Sequence, residues 1–255
     1  MNLLDALLLG IVEGITEFLP ISSTGHLILS GRLLGLSQTE FLKSFDIAIQ
    51  LGAILAVVIL YWKKLLVDFR MLTKIATAFL PTAILGLGFY KIVKQFLLSS
   101  ESVVLWSLFL GGVFIIVFEM LYKERKDAAE DVSDISYRQA FLIGIFQSVA
   151  MIPGVSRAAA TIFGGLSLGL KRKTIVEFSF LLAVPTMLAA TGLDLIKSAG
   201  AFSRGDFVFL GTGFLASFLV AILGIKFLIY FIKNNNFIPF GIYRIALALI
   251  FWFAP

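Results

Sequence analysis

The residues best suited to chemistry lie in one stretch near the start of the chain, Glu13 to His26, which reads EGITEFLPISSTGH. Two carboxylates, a cluster of hydroxyls and the single histidine of the chain stand there among apolar residues. Ionisable side chains at membrane depth are costly unless they are paired or liganded, so they usually mark function. This stretch is therefore the first candidate site.

Glu13 and Glu17 are spaced so that a helix would place both carboxylates on one face, where like charges repel. A divalent cation, a proton shared by the pair, or an arginine from elsewhere would offset that repulsion. Carboxylate oxygens suit Mg²⁺ or Ca²⁺, and Mg²⁺ commonly binds one or two carboxylates together with phosphate oxygens. The structural alternative is that one of the two caps a helix or reaches the membrane interface.

The hydroxyls of Ser22, Ser23 and Thr24 are followed directly by Gly25 and His26. Such a turn can present backbone N–H groups to an anion, and glycine allows a close approach. Serine and threonine are equally ordinary as helix N-caps, which is the structural alternative. The histidine adds a group that exchanges protons near neutral pH or attacks phosphorus as a nucleophile.

A second polar patch, Gln147 to Thr161, reads QSVAMIPGVSRAAAT and contains Arg157 as its one charge. The planar guanidinium matches the oxygens of a phosphate group. It could also neutralise Glu13 or Glu17, and both roles can hold together. Opposite charges in two such patches predict one shared pocket.

The composition indicates an integral membrane protein. Of the 255 residues, 59% are hydrophobic and only 15% are charged, against roughly 25% charged in soluble domains. The net charge of +5 does not indicate nucleic-acid binding, because the basic residues lie mostly in short loops between apolar runs. The absence of cysteine excludes thiolate metal sites and thiol nucleophiles, and one histidine excludes a zinc site of the His-Glu-x-x-His type.

Six apolar windows approach the length needed to cross a bilayer, and two further segments are broken by proline, glycine and polar residues. We therefore predict an all-α polytopic membrane protein with six transmembrane helices and two re-entrant helix pairs. The windows are Ile47 to Trp62, Ala76 to Tyr90, Ser102 to Tyr122, Val176 to Ile196, Phe207 to Phe231 and Ile238 to Phe253.

The two halves of the chain resemble each other. The run GIVEGI from Gly10 is similar to GIFQSV from Gly144, and each leads to a proline, Pro20 or Pro153, before a turn with hydroxyl groups. Two structural repeats are therefore predicted.

We predict one membrane domain, with repeat one at about 1–122, a charged linker at about 123–138 and repeat two at about 139–255. Three spans plus a returning segment invert the second repeat relative to the first. The loops on the predicted inner side hold twice as many lysines and arginines as the outer loops, as the positive-inside rule requires. The tips of the broken segments should then meet near the midplane.

Several charges inside the apolar windows need an account. Arg244 requires a buried acid or backbone carbonyls as its partners. Asp46 and Gln50 begin a span, where they support the architecture or line the pocket. Glu177 and Asp194 are predicted to be interfacial charges, with membership of the pocket as the alternative.

The motif from Glu13 to His26 resembles the bacitracin-resistance family of undecaprenyl-diphosphate phosphatases. The likeness includes PGVSR ending at Arg157, EFSFLLAVP from Glu177 and FIPFGIYR ending at Arg244, so it covers essentially the whole chain. The first motif is long and specific.

This resemblance implies an enzyme of the bacterial plasma (inner) membrane, with a pocket open toward the periplasm. The family removes the terminal phosphate of undecaprenyl diphosphate, which recycles the lipid carrier for peptidoglycan synthesis. Its overproduction confers bacitracin resistance. The fold that it implies is the inverted repeat predicted above, and a homodimer is left open.

The resemblance also assigns roles to residues. Glu13 and Glu17 would hold a divalent cation or act as the base, and Ser23 or His26 would be the nucleophile. Arg157 and Ser156 would bind the diphosphate. The other expected substrate contacts are Ser22, Thr24, Gly25 and Gly154.

The chain departs from the family at Ala158 and Ala159, where the family usually has Ser-Gly. The departure removes a hydroxyl donor and adds a methyl group. Two rival functions remain open: a secondary transporter or lipid flippase, because inverted repeats are a transporter architecture, and a type-2 lipid phosphatase. The second needs another histidine, which this chain lacks.

Overall fold

The computed structural model describes residues 1–37, 39–92, 100–124, 130–198 and 205–253. Within these ranges the chain forms ten α-helices and no strand, which confirms the all-α prediction. Part of the predicted linker, residues 125–129, lies outside the described residues. The helices are α1 (Leu3–Thr16), α2 (Ser23–Leu33), α3 (Glu40–Val67), α4 (Phe69–Ile92), α5 (Glu101–Leu121), α6 (Tyr137–Ser148), α7 (Arg157–Ser167), α8 (Arg172–Ser198), α9 (Asp206–Phe231) and α10 (Ile238–Phe253).

Five of these helices, α3, α4, α5, α8 and α9, are long and apolar enough to cross a membrane. The longest, α3, has 28 residues, and at about 1.5 Å per residue it measures ~42 Å. The sixth predicted window forms α10, which has 16 residues and measures ~24 Å on the same basis. It is therefore shorter than the other five.

The helix α3 begins at Glu40, earlier than the sequence predicted. Thr39 caps it, because its hydroxyl accepts a hydrogen bond from the backbone N–H of Leu42 at 3.1 Å. Asp46 and Gln50 therefore lie inside the helix, and the prediction that they begin the span was wrong.

The remaining helices, α1, α2, α6 and α7, have 14, 11, 12 and 11 residues. At about 1.5 Å per residue they reach ~16–21 Å, whereas the hydrocarbon core of a bilayer is about 30 Å thick. None of them is long enough to cross. Each pair is interrupted by a turn that contains a proline, Pro20 or Pro153, which cannot donate the backbone hydrogen bond of a continuous helix.

Glycines let the helices pack closely around the short pairs. A Cβ atom at Gly14 of α1 would lie 2.7 Å from the carbonyl oxygen of Ser217 on α9. One at Gly112 of α5 would lie 2.6 Å from the carbonyl oxygen of Gly241 on α10. Such backbone approaches are typical of helix contacts in membranes, where small residues allow tight packing.

Ion pairs join α3, α5 and α8 at one end of the molecule. Lys64 near the end of α3 pairs with Glu177 of α8 at 2.8 Å. Arg172 at the start of α8 binds Glu119 of α5, with one of its two hydrogen bonds at 2.7 Å. The ends of α3 and α5 and the start of α8 therefore lie on the same side.

Candidate active site

The two short helices α2 and α7 begin in the same unusual way. The residue before each helix is a serine with a positive φ, 72° at Ser22 and 77° at Ser156. Among the described residues these are the non-glycine positions with positive φ. Each hydroxyl accepts a hydrogen bond from a backbone N–H in the first turn, that of Gly25 at 3.3 Å or Ala159 at 3.1 Å. A non-glycine residue in this region costs about 1–3 kcal/mol, and such strain is concentrated at functional sites.

Glu17 joins the beginnings of these two helices. Its Oε2 atom accepts a hydrogen bond from the hydroxyl of Ser23, the first residue of α2, at 2.5 Å. Its Oε1 atom accepts one from Nη2 of Arg157, the first residue of α7, at 2.9 Å. Two helix N-termini, which attract negative charge, therefore meet at one buried carboxylate.

The guanidinium of Arg157 is held on several sides. Nη1 donates to the carbonyl oxygen of Ser179 on α8 at 2.8 Å and to its hydroxyl at 3.3 Å. The group also lies 5.8 Å from the ring centroid of Phe18. Its Nε atom is buried and has no hydrogen-bond partner among the described residues, so one donor is left for a ligand.

Glu13 is fully buried one turn before Glu17 on α1. Neither of its carboxylate oxygens has a hydrogen-bond partner among the described residues. Glu17, Asp46 and Arg157 are near enough to act on it electrostatically. A buried polar group without a partner requires an explanation, and a bound cation or a proton would supply one.

The donor set around these carboxylates decides whether they fit a metal ion. Among the described residues no group of three or more histidine, cysteine or acidic side chains could hold a metal ion. Magnesium, however, usually keeps several waters and uses one or two carboxylates with substrate phosphate oxygens. The unpartnered oxygens of Glu13 beside Glu17 fit that pattern.

Both ring nitrogens of His26 are engaged. Nδ1 lies 2.7 Å from the carbonyl oxygen of Ser22, and Nε2 lies 2.8 Å from the hydroxyl of Tyr243 on α10. The tyrosine ring is parallel to the imidazole, with 5.5 Å between their centroids. Sequence reasoning missed Tyr243, because no motif links α10 to α2. Its position directly before Arg244, inside a motif already singled out, was the one available signal.

Two predicted substrate contacts, Gly25 and Gly154, lie against α5. A Cβ atom at Gly25 would lie 3.3 Å from a side-chain carbon of Val104. One at Gly154, which has a φ of 89°, would lie 2.7 Å from the carbonyl oxygen of Val104. Both glycines therefore let the turns approach α5.

The other predicted positions lie in the first turns of α2 and α7. Thr24 is half-buried at the start of α2, while Ser156 caps α7. Ala158 and Ala159, where the resemblance predicts Ser-Gly, are buried in the hydrophobic core. Their methyl groups are accommodated by packing.

Arg244 binds carbonyl oxygens, which is one of the two alternatives predicted for it. It is fully buried, and its three nitrogens donate to five backbone carbonyls at 2.8 to 3.3 Å. The acceptors belong to α5 and to the turns before α2 and α7: Ser107, Leu108, Pro20, Gly154 and Val155. One side chain thus fixes both turns to the same helix.

Comparison with known proteins finds relatives along almost the whole chain. Residues 6–250 match the family model described as bacitracin resistance protein BacA. The chain is 52% identical over 252 residues to a protein of Sulfurihydrogenibium sp. (strain YO3AOP1), covering 99% of each chain. It is 51% identical over 247 residues to one of Aquifex aeolicus, covering 97% of this chain and 96% of the relative. A protein of Persephonella marina is 53% identical over 251 residues, with 98% of each chain covered.

All three relatives carry the name undecaprenyl-diphosphatase. The family match and the apolar helices identify a multi-pass membrane protein. Because the family model spans nearly the whole chain and the relatives are about half identical to it over nearly their full lengths, the chain belongs to the bacitracin resistance protein BacA family.

Proposed function

We propose that this protein hydrolyses undecaprenyl diphosphate to undecaprenyl phosphate and inorganic phosphate, and so recycles the lipid carrier for peptidoglycan synthesis and gives bacitracin resistance. The observation that carries the proposal is the contact of Ser23 and Arg157 with the same carboxylate, Glu17. It brings a hydroxyl nucleophile, a base and a phosphate-binding guanidinium together. The names of the relatives give the same activity.

Ser23 is the better of the two candidate nucleophiles. Its hydroxyl already donates to a carboxylate at 2.5 Å, and a nucleophilic hydroxyl is activated by an adjacent base. Neither ring nitrogen of His26 faces a carboxylate, because Nδ1 faces a backbone carbonyl and Nε2 faces a tyrosine hydroxyl. An attack by Nε2 would first require that the bond to Tyr243 break.

The reaction then proceeds in two steps. The oxygen of Ser23 attacks the terminal phosphorus while its proton passes to Glu17, and the bond from that phosphorus to the bridging oxygen breaks. Undecaprenyl phosphate leaves, and the phosphoryl group remains on Ser23. Water next attacks the phosphorus, and the bond from phosphorus to the serine oxygen breaks. The serine oxygen takes back the proton held by Glu17, and the hydrogens of the water leave with the inorganic phosphate.

The diphosphate would bind where the two helices begin. Arg157 offers its unpartnered Nε and, by exchanging its bond to Glu17, Nη2 as well. The N-termini of α2 and α7 add backbone dipoles directed at the same place. The strained caps Ser22 and Ser156 hold those first turns in position. The groups that stabilise the phosphoryl charge are therefore already in place before the substrate binds.

Glu13 and Glu17 would hold Mg²⁺ or Ca²⁺ together with oxygens of the diphosphate. When bound, the cation would neutralise the charge that develops on the phosphoryl oxygens. Within the chain, Glu13 supplies the two oxygens that lack a hydrogen-bond partner. Glu17 would act both as a ligand of the cation and as the base for Ser23.

The fold is proposed to be an inverted repeat, with α1–α5 related to α6–α10. The contact of α1 with α9 corresponds to the contact of α6 with α4. The helices α3 and α8, which are equivalent in the two repeats, pack against each other, and so do α5 and α10. The positive-φ serines before α2 and α7 stand at equivalent positions. The short pairs α1–α2 and α6–α7 would enter the membrane from opposite sides and return.

The orientation is proposed from the loop charges. The end that carries the Lys64–Glu177 and Arg172–Glu119 ion pairs is also the end with the basic loops, which the positive-inside rule assigns to the cytoplasm. The protein would then lie in the bacterial inner membrane, with its site open to the periplasmic side. The polyprenyl tail would remain among the apolar helices while the diphosphate reaches Arg157.

The decisive experiment measures phosphate release from undecaprenyl diphosphate by purified protein in detergent, where no transport can occur. The wild type should release phosphate, and Arg157→Ala should reduce the rate by at least about 100-fold, as expected when a preorganised charge contact is removed. Arg70→Ala, at an exposed position of α4, is the matched control. A wild type without activity, or an Arg157→Ala variant with full activity, would overturn the proposal.

A further inference from the structure

The contact between Tyr243 and His26 has no part in the mechanism above. We propose that Tyr243 is a positioning residue that holds the imidazole of His26 in one orientation, in the same first turn of α2 that carries Ser23. The inference rests on the proposed function, because it concerns the same site. It adds α10, an element outside both short helix pairs, to the machinery of the reaction.

The hydrogen-bond partner of Nδ1 decides which nitrogen of His26 carries the proton. Nδ1 lies 2.7 Å from the carbonyl oxygen of Ser22. A carbonyl oxygen can only accept a hydrogen bond, so Nδ1 must donate. In the neutral imidazole the other nitrogen, Nε2, is then an acceptor.

The side chain of Tyr243 faces that acceptor. The hydroxyl of Tyr243 lies 2.8 Å from Nε2, and a tyrosine hydroxyl can both donate and accept. It donates to the neutral imidazole and accepts from the protonated one. His26 can therefore take up and release a proton without rotating its ring.

The rings of His26 and Tyr243 have a defined mutual orientation. They are almost parallel, at 3°, with centroids 5.5 Å apart, so the tyrosine also limits the tilt of the imidazole. His26 is 8% exposed, whereas Tyr243 is 44% exposed. Tyr243 therefore links a buried imidazole to the molecular surface.

The backbone that carries Tyr243 is held in place by its neighbour in the chain. Tyr243 directly precedes Arg244, whose five hydrogen bonds fix α10 to α5 and to the turns before α2 and α7. The tyrosine is thus carried by a backbone that is tied to the same turns as the catalytic groups. A side chain on such a support suits a positioning role.

The test uses the fact that the chain contains one histidine. Protein labelled with ¹⁵N-histidine, purified in detergent without substrate, gives a single set of imidazole signals, whose shifts report which nitrogen is protonated. The wild type should show the proton on Nδ1. Tyr243→Phe keeps the ring and removes the hydroxyl. It should leave the proton on Nδ1, because the carbonyl oxygen of Ser22 still accepts it, and should move the Nε2 signal downfield, because that nitrogen loses its hydrogen-bond donor. Tyr230→Phe, on an exposed side chain of α9, should match the wild type.

The same variants are then compared in the phosphate-release assay. Tyr243→Phe should lower kcat about fivefold, the effect of one ordinary hydrogen bond, and leave KM unchanged, because the hydroxyl is not expected to touch substrate. Tyr230→Phe should alter neither value. A change in KM alone would contradict a positioning role.

A wild-type proton on Nε2, or a Tyr243→Phe spectrum identical to that of the wild type, would overturn the inference. The spectra do not depend on turnover. A protein that shows the expected spectra but releases no phosphate would therefore contradict the proposed function, while the assignment of Tyr243 to the orientation of His26 would stand.

Discussion

Ser22 and Ser156 occupy equivalent positions: each precedes an 11-residue helix, and each has a left-handed backbone conformation. Each also closes the first turn of its helix with its own hydroxyl. A local strain that occurs twice, at the two turns that converge on Glu17, is a property of the site. It indicates that the serines fix the direction in which each helix begins.

The first prediction distinguishes the energetic cost of the positive φ at Ser156 from the stabilisation that its capping hydrogen bond provides. Ser156→Ala keeps the unfavourable φ and loses the hydroxyl, so it should destabilise the protein by about 1–2 kcal/mol. Ser156→Gly loses the same bond but relieves the strain, because glycine adopts positive φ freely, and should be close to the wild type. Thermal unfolding in detergent gives the order of the three proteins. An alanine variant as stable as the glycine variant would contradict it.

The second prediction concerns Glu17 as the base. Glu17→Gln retains the size and one acceptor oxygen but cannot take the proton of Ser23, so kcat should fall by about 10²–10⁴-fold. Phosphate release measures the loss. Glu130→Gln, which removes an exposed carboxylate paired with Lys171, is the control and should retain full activity. A Glu17→Gln enzyme with near-normal kcat would exclude the proton transfer.

The third prediction identifies the nucleophile. Acid quenching of the enzyme with substrate labelled in its terminal phosphate should trap the phosphoryl group on Ser23. Ser23→Ala should abolish that label, whereas His26→Ala should still form it, more slowly. The label should resist the acid treatment that removes phosphate from histidine. Loss of the label in His26→Ala alone would make the histidine the nucleophile.

Sequence reasoning reached the groups that carry charge but not the groups that hold them. Glu17 and Arg157 are conspicuous because a charge in an apolar run needs a reason. Tyr243 is ordinary in a membrane helix, and its contact with His26 depends on how α10 packs, which no local pattern records. Backbone acceptors are equally invisible, so the sequence could not choose carbonyls over an acid for Arg244.

The limits of the helices show the same division. Apolar windows located the long helices, because burial in lipid requires apolar side chains over a spanning length. The true start of α3 depends on the hydroxyl of Thr39, and the helix continues through polar residues that hydropathy excludes. Asp46 consequently lies inside α3, near Glu13. The sequence offered pocket lining as one alternative for Asp46, but it did not predict Glu13 as its neighbour.

The fourth prediction tests the cation. Enzyme treated with a chelator should lose activity and regain it with Mg²⁺ or Ca²⁺. Glu13→Gln should raise the cation concentration needed for half-maximal activity, because it removes a charged ligand while keeping the side chain's size. Asp206→Asn, at the start of α9, is the control and should leave that concentration unchanged. Activity that is indifferent to the chelator would argue against a cation held by Glu13 and Glu17.

The fifth prediction concerns Arg244, which is buried and donates to five carbonyls. Arg244→Met leaves these acceptors without a donor, and each unsatisfied group costs about 1–3 kcal/mol. Folded protein should therefore be lost or its unfolding temperature sharply lowered. Arg244→Lys supplies three donors instead of five, so it should fall between methionine and arginine.

Gly111 provides an independent check on the same contact. A Cβ atom there would collide with the guanidinium of Arg244, so Gly111→Ala should destabilise the protein with the arginine still present. Combined with Arg244→Lys, whose ammonium is smaller, the alanine should cost less than it does alone. Unfolding temperatures of the two single variants and the double variant give this coupling, and strictly additive effects would mean that the glycine has another purpose.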